Sequence, residues 1–117
     1  MKKDPKVFLV HILESIEAIE EYLQGVSEET FHVSREKQDL AVRRLEIIGE
    51  ASKNIPDDFR NSHPDIPWKR MSGMRDMIAH QYFGINYNIV WDTVKNQLPS
   101  LKAQIKEMLK LSFPDHS

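Results

Sequence analysis

Four residues near the middle of the chain have side chains suited to phosphate chemistry: Arg75, Asp76, His80 and Tyr82. Arginine offers a planar, permanently charged fork that can hold phosphate oxygens while they gain charge. Histidine, with an unperturbed pKa near ~6.5, can take up or release a proton at neutral pH. A phenol can bind phosphate or stack on a base. Asp76 stands one helical turn before His80, where it could orient the ring or hold Arg75. This set suits cleavage of an RNA phosphodiester without a metal. The RNA's own 2′-hydroxyl would attack, leaving a cyclic phosphate. By spacing alone, Arg-x4-His-x-Tyr also fits quieter roles: a capping histidine, a solvated Arg75–Asp76 pair and a half-buried packing tyrosine.

A helix advances about 100° per residue. With Arg75 at zero, Tyr82 falls about 20° away and His80 about 140° away. One straight helix cannot aim all four groups at one point. Either the helix loosens before His80, or a second copy of the chain supplies some of the groups across a two-fold axis. The second arrangement also gives a use to apolar surface left over on a neighbouring helix, described below.

The set lies within Ile66–Gly84, a segment opened by Pro67 and closed by Gly84. That punctuation predicts one helix over about 67–83. Upstream, Asp4-Pro5 reads as a cap and first turn. Phe8, Ile12, Ile16, Ile19 and Leu23 recur at helical steps, predicting an amphipathic helix over 5–24 that Gly25 ends. Residues 27–33 form a connector with at most one helical turn. Ser34 caps a second long helix, which Pro56 stops. Its apolar stripe, Leu40, Ala41, Leu45, Ile48 and Ala51 with Val42 and Ile47 beside it, is broad enough for two buried contacts. Gly49 inside that stripe costs about 1 kcal/mol relative to alanine, which a close helix–helix approach would explain. Glu46 and Glu50 share one face, which could approach the motif's cleft but reads first as solvated. Residues 57–65 read as a short turn and loop. Asn86 caps the last helix, and Pro99 should kink or split it. Trp68 and Trp91 are assigned to packing. These elements, joined by short connections, predict an all-α, antiparallel four- to five-helix bundle.

The chain has 117 residues, enough for a single domain over 1–117. Its 40% apolar and 29% charged content fits a globular protein. A net charge of −2 argues against coating nucleic acid through bulk charge. It leaves room for a locally basic stretch such as Lys69, Arg70 and Arg75. No apolar run reaches the ~20 residues of a membrane span, and the start of the chain does not read as a signal peptide. With no cysteine, disulfides and thiolate chemistry are excluded, and a cytoplasmic location is expected. His11, His32, His63, His80 and His116 show no close metal-ligand spacing, so no metal or cofactor is expected.

Three segments together carry a family resemblance: Ala41–Ala51, Ile66-Pro67-Trp68 with Gly73-Met74-Arg75, and Arg75-x4-His80-x-Tyr82-Phe83-Gly84. In this order they resemble the HepT-like (DUF86) group of the HEPN superfamily. The resemblance implies an α-helical bundle that dimerises around the motif helix. It implies a metal-independent endoribonuclease acting as a toxin. In this reading Arg75 and His80 are catalytic, Asp76 is supporting, and Tyr82 contacts substrate. It implies a minimal nucleotidyltransferase antitoxin as partner, which would neutralise the toxin by transferring AMP to Tyr82. Position 76 departs from the pattern, being Asp where many relatives have Asn. An acid there can pair with Arg75 or raise the basicity of His80. The alternative to an enzyme is a non-catalytic nucleotide- or partner-binding module associated with a nucleotidyltransferase.

Overall fold

Four helices in this chain begin where a side chain accepts from the backbone donors that a helix start leaves free. In the computed structural model, which describes residues 4–79 and 84–113, Asp4 caps α1 (Pro5–Tyr22) and Ser27 caps α2 (Glu28–Val33). Ser34 caps α3 (Arg35–Asn54), and Asn86 caps α6 (Tyr87–Asp92). The short α4 (Asp57–Ser62) and the longer α5 (Trp68–Ala79) follow prolines 56 and 67. A π-helical segment (Thr93–Gln97) joins α6 to α7 (Leu98–Ser112). Among the described residues every regular element is helical. The architecture is the expected all-α bundle: α1, α3, α5 and the α6–π–α7 rod are its long members, and α2 and α4 are connectors.

The apolar stripes meet in one cluster. Leu9, Ile12, Ile16 and Ile19 of α1 share it with Leu45 and Ile48 of α3, Met71 of α5, and Leu98, Leu101 and Ile105 of α7, all buried. Trp68 is buried with them. α1 and α3 run antiparallel. The Tyr22 hydroxyl, at the end of α1, donates to Glu36 at the start of α3. That bond favours the protonated phenol and raises the Tyr22 pKa above its ordinary value. Lys102 of α7 donates to Glu20 of α1 at 2.7 Å.

The breadth of the α3 stripe has its explanation within one chain. α3 packs extensively against both α1 and α5. Within one chain α5 is thus a second neighbour of α3, while Val42 and Ile47, which broaden the stripe, stay half-buried. Pro99 acts as expected on the last helix, by an identifiable route. Lacking an N–H, it cannot bond one turn back. The backbone widens just before it, so the Leu98 N–H reaches the Thr93 carbonyl, five residues away.

Candidate functional site

α3 and α5 touch backbone to backbone where Gly49 faces Arg75. A methyl group built on Gly49 would lie 2.5 Å from Arg75 Cβ and 2.6 Å from its backbone nitrogen. No ordinary Cβ contact is that short, so only glycine permits this crossing. The expected close approach is present, and its partner is the arginine of the motif. Buried Met71 and Met74 on the same helix anchor α5 in the core, and Arg75 is carried out half-exposed at the crossing.

The guanidinium emerges among carboxylates. Its Nε lies 3.4 Å from Glu50, and one terminal nitrogen lies 3.7 Å from Asp76. Asp76 also accepts from Lys53 at 2.7 Å. So the acid at position 76 does hold Arg75, while a lysine of α3 neutralises part of its charge. These pairs are solvent-accessible, with Glu50 62% and Asp76 48% exposed. Such pairs contribute only about 0–1 kcal/mol each. A phosphate can therefore displace them without a large penalty.

Beside Arg75, residues from the start of α1 and from Arg43 to Asn54 of α3 line a cleft of about 360 Å³. Phe8, Ile47 and Ala51 give it an apolar floor; His11, Arg43, Glu46, Glu50 and Asn54 stand on its walls with Arg75. The Phe8 and His11 rings meet edge-on, with centroids 6.5 Å apart. Glu46 and Glu50 line this cleft, the less favoured of their two readings, and Glu50 is exposed as well. Spacing within α3 shows that the two share a face, but not which helix the face meets. His11 and Arg43 carried no local signal at all, because they join the site only through the packing of α1 on α3.

Of the expected site residues, the structure places Arg75 on the lining of the cleft, with Asp76 beside it, 3.7 Å from its guanidinium. His80 and Tyr82 lie outside the described residues. α5 remains α-helical through Ala79, immediately before His80. Among the described residues no three His, Asp or Glu side chains gather as a metal-holding group, and no helix is long and apolar enough to cross a membrane.

Comparison with known proteins places this geometry in context. Residues 12–108 match the family model described as "Ribonuclease HepT-like". The chain is 46% identical over 110 residues to the "Probable ribonuclease HepT" of Thermococcus cleftensis, covering 94% of this chain and 100% of that one. It is 45% identical over 108 residues to a "Putative RNase" of Caldanaerobacter subterraneus subsp. tengcongensis, covering 92% of this chain and 96% of that one. It is also 46% identical to a Methanocaldococcus jannaschii protein named for gamma-glutamylcyclotransferase and RNase activities, but spans only 50% of that protein. No solved structure matches the chain.

Proposed function

The chain belongs to the HepT-like ribonuclease family, and from that premise we propose that it is a metal-independent endoribonuclease. The observation that carries this reading is the Gly49 crossing. It fixes the root of a motif arginine beside a nucleotide-sized cleft, and among the described residues its guanidinium meets solvent-accessible ion-pair partners. In the reaction, Arg75 takes over the scissile phosphate from Glu50 and Asp76 and stabilises charge growing on its non-bridging oxygens. His80 removes the proton of the RNA 2′-hydroxyl. That oxygen attacks phosphorus, the bond to the 5′-oxygen breaks, and a proton returned to the leaving oxygen yields a 2′,3′-cyclic phosphate end and a free 5′-hydroxyl. Tyr82 steadies the substrate.

The protein acts as a homodimer in the cytoplasm, with the motif helices of two copies lining one groove. It is the toxin of a toxin–antitoxin pair whose partner is a minimal nucleotidyltransferase. Transfer of AMP to Tyr82 places a bulky anion in the groove, blocks it and repels RNA phosphate. Purified protein is expected to cleave RNA in EDTA, and His80→Ala to abolish cleavage; unchanged cleavage by the variant overturns the assignment. Co-expression with the partner should add the mass of AMP, and Tyr82→Phe should lose it. The carboxylates flanking Arg75 favour a second reading, a module that binds RNA or nucleotide without turnover. That reading holds if wild type and His80→Ala bind RNA equally and neither cleaves it.

A further inference from the structure

The cleft beside Arg75 is not simply basic. Arg43 and Arg75 are matched by Glu46 and Glu50, so its walls carry no net charge apart from His11. A groove that only followed a phosphate chain would exclude carboxylates. Glu50 is accounted for by Arg75, 3.4 Å away. Glu46 is different: it is half-buried on the wall and makes no hydrogen bond or ion pair to any described residue. A carboxylate on a cleft wall with no donor among the described residues can accept N–H donors from a ligand. Next to it lies an apolar floor of Phe8 and Ile47, with the His11 ring at its edge. A flat ring can stack there.

The geometry points to a base-reading subsite: the cleft takes an unpaired guanine next to the phosphate held by Arg75, with Glu46 accepting from its Watson–Crick edge. This inference rests on the ribonuclease reading and specifies its substrate. A carboxylate presents two parallel acceptors. Guanine alone among the four RNA bases offers two adjacent N–H donors on that edge, at N1 and N2. Adenine and cytosine offer one donor beside an acceptor, and uracil one donor between two acceptors. A base must be unstacked to enter the cleft, so the substrate is single-stranded RNA or a loop.

The experiment compares cleavage of short single-stranded RNAs that differ only in one base, by wild type and by Glu46→Gln. Wild type should prefer the guanine substrate by about tenfold, the discrimination of one good bidentate contact. The glutamine amide offers one acceptor and one donor, so the variant should lose that preference and gain relative activity at adenine or cytosine. Binding of the same RNAs to His80→Ala should show the same ranking without turnover. Equal cleavage of all four substrates by wild type overturns the proposal, as does a guanine preference untouched in Glu46→Gln. Glu46→Gln that weakens self-association but leaves the base ranking intact also overturns it, assigning Glu46 to a seam between copies. If wild type does not cleave at all, the ribonuclease reading fails, and the binding ranking in His80→Ala still decides for or against the guanine subsite.

Discussion

The two ends of the α1–α3 pair are built on opposite principles. At one end, where α1 finishes and α3 starts, aromatic rings close the bundle. Phe31 of α2 is fully buried, with the Trp91 ring 5.2 Å and the Tyr87 ring 6.3 Å from its own. The Gln38 amide donates to the carbonyls of Phe31 and His32 at 3.1 and 3.0 Å, tying α2 to α3. At the other end, where α1 starts, charged groups of the same helices line an open cleft. The first end is closed by aromatic packing. The second keeps Leu9 and Ile48 buried beneath it but holds cations and carboxylates within reach of a ligand. Stability and chemistry are thus assigned to different ends, and the α3–α5 crossing at Gly49 is where the two meet.

This division can be broken by mutation, and the largest effect belongs to the closed end. Phe31→Ala should destabilise the fold by about 3–5 kcal/mol, the usual range for a buried aromatic. Cleavage per folded molecule should persist, read by thermal melting alongside activity at low temperature. Arg75→Ala should do the reverse: cleavage falls by about a hundredfold or more, while the melting temperature changes by only a few degrees, since its ion pairs are exposed. If Arg75→Ala melts as early as Phe31→Ala, the separation of roles is wrong. Gly49→Ala should affect both quantities. The added methyl meets backbone atoms of Arg75, so the helices must separate at a cost of about 1–3 kcal/mol, offset by about 1 kcal/mol of helix propensity. A lower melting point together with reduced cleavage is expected. Lys53→Ala should have the smallest effect. Stability should change by less than about 1 kcal/mol, and cleavage should drop a few-fold at low salt as Asp76 turns its charge to Arg75. Added salt should erase that difference.

Much of the fold was legible in the residues because its signals are local. Asp4, Ser34 and Asn86 cap the helices they were expected to cap, and Pro99 disturbs the rod it was expected to disturb. Gly49 was legible too, since a glycine in an apolar stripe asks for a close neighbour; that the neighbour is Arg75 was not. The site was half legible. Arg75 and Asp76 announce themselves by type and spacing. His11 and Arg43 do not, and Glu46 does so only as one of two readings, because their meeting depends on the rotation of one helix against another, which no single helix encodes. The breadth of the α3 stripe was legible as two contacts, and α1 and α5 are two such neighbours within the chain.

At the Gly49 crossing, the backbone and Cβ of Arg75 rest against bare main chain, with no side chain of α3 serving as a spacer. On the α3 side such a joint has no rotamers to exchange, so it sets the point from which the arginine stem leaves α5, while the guanidinium beyond can swing. The root of the phosphate-binding side chain is then like a pin set in a bearing: what varies from one turnover to the next is the cargo and the arm that reaches for it.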